Sequence, residues 1–500
     1  MPDADGLDDF RVRELNAESS PHPAPAPRGR FLDRARMVFR EVDPPTWGWD
    51  LREHSDGVEQ ARSRMVIDLA MRIAASTMAT GASASDVTAN ILTVTRAYGL
   101  RSVHVDVTFT AITVTHHRGP YEDPVTMVRT VATRTPDYTR LAETHELIDD
   151  IAAHRLPLDE AHDRFSRIMA QPRIYRRSIV TLAFVLMAAG VCTLLGGRPL
   201  EIVAAMLIVA LVDRVSLLTA RLRLPAFFAQ IVGGAIPTAV AMGLVTARAW
   251  VPDELDVLRP SILVATGIVV LLAGLTAVGA AQDAIDGYYV TASGRAFEVV
   301  ILTLGIVVGV LTVITIAFRL GVPSYMLPPA GIAQSTLVQI IAVALIAAGF
   351  SLGGYSGLRT VAVSCAVAVV GWFGYLMVGQ LGFGTVAATA FACTVVGLLT
   401  HSVAIRLGVP ALAVTTAGIV AFLPGSMIYR GLYYLTEPDM ATLAGTSSAT
   451  HLWGAAATGL AIAGGVSLGS YFGRLADRNV RAGVGAAAKA LARSRADNRE

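Results

Sequence analysis

Lysine is almost missing from this chain: Lys489 is the only one, so every other basic side chain is arginine. Charge of either sign is thin, at 16% of residues, where soluble proteins carry about 25%. The shortage is local. Upstream of Arg177 the chain is rich in Arg, Asp and Glu, but from Ser178 to Gly473 charges are separated by long gaps. A net charge of +2 offers no basic footprint, so nucleic acid is not an expected partner. Only three cysteines occur, Cys192, Cys365 and Cys393, each inside an apolar run. That scatter gives neither a disulfide framework nor metal spacing. A phosphate-cradling glycine loop, paired metal ligands and a nucleophile elbow are also missing, which argues against a nucleotide-driven pump. No metal or cofactor is expected. The first forty residues show no signal-peptide pattern.

Apolar sequence fills the space that charge leaves, at 53% hydrophobic and a mean hydropathy of +0.53. Uncharged runs cover 178–197, 224–247, 260–282, 299–318, 320–358, 360–405, 407–429 and 452–473. A spanning helix needs about 20 such residues. The turn-rich "GVPSYMLPPAG" leaves one helix near 335–355, "GQLGFG" divides 360–405 into two, and Pro199 to about Leu218 adds another. The expectation is an α-helical polytopic membrane protein with ten transmembrane helices. Two sets of five, each with a tyrosine pair after its fourth helix ("DGYYV", "GLYYL"), suggest a 5+5 repeat with the second copy inverted. Arg173, Arg176 and Arg177, then Arg214, Arg221 and Arg223, then Arg474, Arg478 and Arg481 fall on one side of such a bundle; Arg295, Arg359 and Arg406 are the remaining loop cations there. By the positive-inside rule both termini are cytoplasmic. Localisation in a bacterial cytoplasmic (inner) membrane follows, with the lipid bilayer as a partner. Homo-oligomerisation is left open.

Ahead of the spans, residues 1–57 read as a disordered tail, with "SSPHPAPAPRGR" and little to bury. Residues 58–171 read as a cytoplasmic α+β domain of order ααββαα. One helix stops at Gly81, and Ser83 with Asp86 caps the next. "SVHVDVTFTAITVTHH" alternates in period two and reads as one strand with a wet face; "VTMVRTVATR" reads as the second. Residues 172–320 and 321–473 make the two five-helix modules, and 474–500 a basic cytoplasmic tail.

Few polar groups punctuate the apolar region. Asp283 and Asp286 end the fourth span one helical turn apart, and Glu298 opens the fifth from the same side. A carboxylate at bilayer depth is retained only where water or a partner reaches it, so Asp283 is the candidate to bind a proton or a substrate ammonium. The competing reading is a plain interfacial boundary. Asp213 with Arg214 reads as a local pair. "AFLPGSMIYRG" places Pro424 and Gly425 inside a span, and "VGGAIPTAV" places Gly233 and Pro237 likewise. Interrupted helices expose a half-helix N-terminus suited to a carboxylate; ordinary membrane-helix proline is the alternative. Arg430 stands as a carboxylate partner or an interface anchor. His104, Asp106, Thr108, Thr110, His116 and His117 decorate the strand region, where alternation on a solvated face explains them without catalysis.

"ASTMATGASASDVTANILTVTRAYG" (75–99), "LIDDIAAHRLPLDEAHDRFSRI" (147–168), "RLRLPAFFAQIVGG" (221–234), "VGAAQDAIDGYYVTASGRAFE" (278–298) and "FLPGSMIYRGLYYL" (422–435) together resemble the bacterial threonine/serine exporter family. The resemblance covers about residues 60 to 473. It implies a cytoplasmic α+β domain fused to two five-helix modules, exporting small hydroxy amino acids by proton-coupled antiport. Two-chain relatives are linked to dicarboxylate export, so a dicarboxylate such as succinate is the alternative substrate. The family's Pro-Gly in the ninth helix matches Pro424 and Gly425, while Ala277 and Val278 stand where many members have a second Pro-Gly. A transporter, not an enzyme, is therefore expected, with an amino acid and protons as its small partners. A membrane-anchored hydrolase or sensor acting through the cytoplasmic domain is the rival of another class.

Overall fold

A computed structural model describes residues 60–117, 123–131, 136–247, 258–271, 274–322, 333–425, 427–428, 430–431 and 448–475. The expected tails at 1–57 and beyond Leu475 lie outside the described residues. The described residues all belong to one compact unit.

The N-terminal part begins with α1 (Gln60–Ala79) and α2 (Ala84–Ala97). Gly81 follows α1 with φ +99°, a left-handed conformation that glycine adopts without strain. Ser83 caps α2, its Oγ accepting from the Asp86 amide at 3.1 Å. The single long strand expected over 102–117 is instead a hairpin, β1 (Val103–Thr108) and β2 (Ala111–His116), followed by β3 (Val125–Thr130) in a β1-β2-β3 antiparallel sheet. The chain reverses at Phe109, whose φ is +50°. No Gly, Asn or Asp marks that turn, which is why periodicity alone runs through it. The alternation itself holds along β1, with Val105 and Val107 buried and His104 and Asp106 exposed. Helices α3 (Tyr138–Ala152) and α4 (Leu158–Ala170) complete this part. Its core is the inward face of α1 with Val87, Ile91, Ile112, Val114, Leu147 and Phe165.

The apolar helices follow: α5 (Arg177–Leu194), α6 (Pro199–Arg221), α7 (Ala226–Ala247), α8 (Pro260–Leu271), α9 (Gly274–Ile285), α10 (Tyr289–Arg319), α11 (Thr336–Gly353), α12 (Leu358–Gln380), α13 (Thr385–Leu407), α14 (Ala411–Ile419) and α15 (Ser448–Leu475). Among the described residues, eight helices are long and apolar enough to cross a membrane. The bent pair α8 and α9, which turns by 52° at its break, makes a ninth candidate. The span expected over 407–429 departs from expectation. Helix α14 tightens into a 3₁₀ turn at Val420–Phe422 and stops, because Pro424 has no N–H to continue the ladder.

Duplication is visible in the spacing. One interval, 159 residues, separates Arg177 from Thr336, Pro199 from Leu358, Ala226 from Thr385 and Tyr289 from Ser448, the first residues of α5/α11, α6/α12, α7/α13 and α10/α15. The same shift carries Gly190 to Gly349. A Cβ on Gly190 would lie 2.7 Å from the Ala342 carbonyl, and one on Gly349 would lie 2.5 Å from that of Ala183. Each copy therefore lays its glycine on the other's alanine. Early residues of α5 meet late residues of α11, so the two helices run antiparallel and the repeats are inverted. Small residues allow this approach because membrane helices associate through close packing.

Candidate functional site

The N-terminal part grips the corner between α9 and α10. Asp283, with no solvent exposure, sits in the last turn of α9. Its Oδ1 accepts from the Ala84 amide at 2.9 Å, at the N-terminus of α2. The positive end of that helix favours a carboxylate there. Its Oδ2 faces Arg295 Nη1 at 2.8 Å, and Arg295 Nη2 donates to the Ala82 carbonyl at 3.0 Å. Thr291 clasps the hairpin tip: its hydroxyl donates to Val107 O at 2.7 Å and accepts from the Phe109 amide at 3.1 Å. Gly294 leaves room for the Phe109 ring, which would lie 3.0 Å from a Cβ there. The uncharged run by itself starts the fifth span near Val299 and leaves Arg295 as a loop cation. The helix instead begins at Tyr289, which carries Arg295 to the interior and puts Glu298 well inside the helix, half-buried, rather than at its start.

Three cavities lie among the apolar helices, two of them lined by α9. A near chamber of about 260 Å³ lies under the N-terminal part, between Thr80, Gly81 and Tyr138 on that side and Phe184, Thr276, Arg295, Phe350 and Thr416 on the other. Tyr138 reaches it from α3. Thr416 gives its proton to the Leu412 carbonyl at 2.7 Å, so the Tyr138 hydroxyl is the donor in their 3.0 Å contact. Burial pushes Tyr138 up to about 12, which keeps that proton in place. A far chamber of about 130 Å³ touches the last turn of α5 at Leu194 and the first of α13 at Thr385, and includes Trp372, Tyr375 and Phe422. Trp372 stacks on Tyr375 and Phe422 and donates to Gln339 Oε1 at 3.0 Å. Helices α5 and α11 contribute to both chambers; α9 and Thr416 of α14 line the near one, and Val269 of α8 with the Val420–Phe422 turn lines the far one. A side cavity of about 610 Å³ is bounded by α9, α10, Leu423 and Pro424, and α15. Its walls are mostly alanine and leucine.

The predicted residues do not converge on one point. Pro424 lines both the side cavity and the far chamber, with Gly425 next to it, so the break sits where those spaces meet. Asp283 shares α9 with Ala280, Ala281 and Ala284 of the side cavity, yet its carboxylate turns to Ala84 and Arg295. Asp286 is half-buried in the turn after α9. Burial, with the Asp86 and Asp283 charges added, raises its carboxyl to about 6. Arg430 is half-buried on the stretch after Gly425 and lines none of the three spaces. The interruption expected at Gly233 and Pro237 is absent: α7 runs through Pro237. The Thr238 hydroxyl donates to Gly234 O at 3.0 Å, and a Cβ on Gly267 would lie 2.5 Å from Pro237, so this stretch is a packing seam. Asp213 pairs with Arg177 of α5 rather than with Arg214. His116 is buried with Nδ1 3.2 Å from Ser102 O, and among the described residues no cluster of three or more metal-ligating side chains occurs.

Family comparison follows the same division of the chain. A family described as "Putative threonine/serine exporter" matches residues 68–317, and one described as "Threonine/Serine exporter, ThrE" matches residues 339–471. A "Probable threonine/serine exporter" of Mycobacterium tuberculosis (strain ATCC 25618 / H37Rv) is 35% identical over 424 residues, 83% of this chain and 78% of its own length. The "Threonine/serine exporter" of Corynebacterium glutamicum is 35% identical over 430 residues, 85% of this chain and 84% of its own. The chain belongs to the threonine/serine exporter family. No solved structure matches it. Within this exporter family, a transporter family rather than an enzyme family, the chambers and the Pro424 break are the features to be explained.

Proposed function

We propose that the chain exports threonine and serine by alternating access of its two inverted repeats, 172–320 and 321–473, driven by the proton motive force. The near side, which carries the N-terminal part, is then cytoplasmic. The observation that carries this reading is the pair of chambers that share α5 and α11 and lie toward opposite ends of that antiparallel contact. Inverted repeats give two arrangements of similar energy, one opening each chamber, and a small solute passes between them as the repeats rock. The break at Leu423–Pro424 bends with that motion, since its backbone is already out of the helical ladder.

Lining chemistry favours an amino acid over a dicarboxylate. Among the described residues lining the near chamber the charged side chain is Arg295, and Asp283 at 2.8 Å already offsets its charge, so a zwitterion matches the chamber's balance and a dianion enters without net counter-charge. The membrane-anchored hydrolase reading has less support, because His104 and Asp106 lie on the exposed face of β1 as plain alternation requires. Counterflow in proteoliposomes tests the proposal. Labelled threonine should accumulate against internal threonine or serine, faster with an imposed proton gradient, and succinate should not substitute. Accumulation with succinate alone would transfer the assignment to dicarboxylates.

A further inference from the structure

We infer that Arg295 is the residue that receives the substrate carboxylate in the near chamber, an assignment that rests on the export reading above. Among the described residues lining the near, far and side spaces, the one charged side chain is Arg295, in the near chamber. An α-amino acid carries its carboxylate into any chamber it crosses, and an unpaired carboxylate is costly away from water. Arg295 is 3% exposed, so its guanidinium is already desolvated. Asp283 at 2.8 Å and the Ala82 carbonyl at 3.0 Å fix its orientation. Preorganised donors of this kind bind an anion with little reorganisation, and guanidinium suits a carboxylate geometrically. A Cβ on Gly279 would lie 3.0 Å from Arg295 Nη1, so the bare backbone of α9 is what leaves the guanidinium its place. The C-terminal end of α1, at Ala79, Thr80 and Gly81, lines the same chamber. The negative end of that helix suits the substrate ammonium. Tyr138 and Thr416 add hydroxyls for a side chain that carries one.

The test uses the full-length protein in proteoliposomes, with threonine, serine and threonine amide, which lacks the carboxylate. Wild type should transport threonine, be inhibited by serine, and ignore the amide. Arg295→Lys should raise KM for threonine at least tenfold with a smaller change in kcat, the loss expected when a charge-assisted contact is weakened. The double variant Asp283→Asn with Arg295→Gln removes both charges together, leaving neither buried partner stranded. It should no longer prefer threonine to its amide. Wild-type KM in Arg295→Lys, or a double variant that still rejects the amide, overturns the assignment. Failure of wild type to move either amino acid would instead sink the export reading on which it rests.

Discussion

Removing the Asp283 carboxylate strands the Arg295 guanidinium where almost no water reaches it. Breaking one side of a buried pair costs about 3–5 kcal/mol, more than the intact pair contributes over a neutral replacement. Asp283→Ala should therefore lower the unfolding temperature in detergent sharply, while Asp283→Asn with Arg295→Gln should stay much closer to wild type. Asp286 behaves in the opposite sense. Its carboxyl is raised to about 6 in the folded protein, from an ordinary value of 3.8. The folded state thus holds the proton more tightly than the unfolded chain. The stability it contributes is complete below about 3.8 and is lost as pH rises through about 6. Asp286→Asn should raise the unfolding temperature at pH 7.5 and leave it nearly unchanged at pH 4, as a thermal melt at the two pH values will show. Of these two carboxylates, sequence spacing located the positions but not the partners, because Ala84 lies far away along the chain.

Helices α5 and α11 depend on glycine where backbone meets backbone. Gly349→Leu would drive a side chain into the Ala183 carbonyl and the Met187 amide, and should abolish monodisperse protein on size exclusion. Gly357→Ala meets open space at a φ of −63° and should be silent. At this scale much was readable beforehand. Uncharged runs located the apolar helices, and Gly81 and Ser83 marked the end of α1 and the start of α2 by ordinary capping chemistry. Other elements were not. Pro237 looks like Pro424 in one dimension, but α7 has neighbours that absorb its proline and α14 ends at its own. The turn at Phe109 had no turn residue to announce it, since its geometry is set by Thr291 and Gly294 on α10.

Across the whole molecule, the hairpin tip and the α9–α10 corner form the joint between the N-terminal part and the apolar helices. A Cβ on Gly294 would lie 3.3 Å from Phe109 Cβ, close to the separation a disulfide spans. Phe109→Cys with Gly294→Cys should therefore cross-link on oxidation, read as the loss of two maleimide-reactive thiols. If transport moves α10 against the hairpin, oxidation should arrest threonine counterflow and reductant should restore it; unchanged flux would place the rocking motion elsewhere. The reciprocal glycine seam carries one more consequence. Each repeat supplies half of a mutual lock, so packing as well as the chain holds the two together. Two plasmid-borne fragments divided within 323–332 should find one another in the same cell and co-purify, and a Gly190→Leu fragment should come off the column alone.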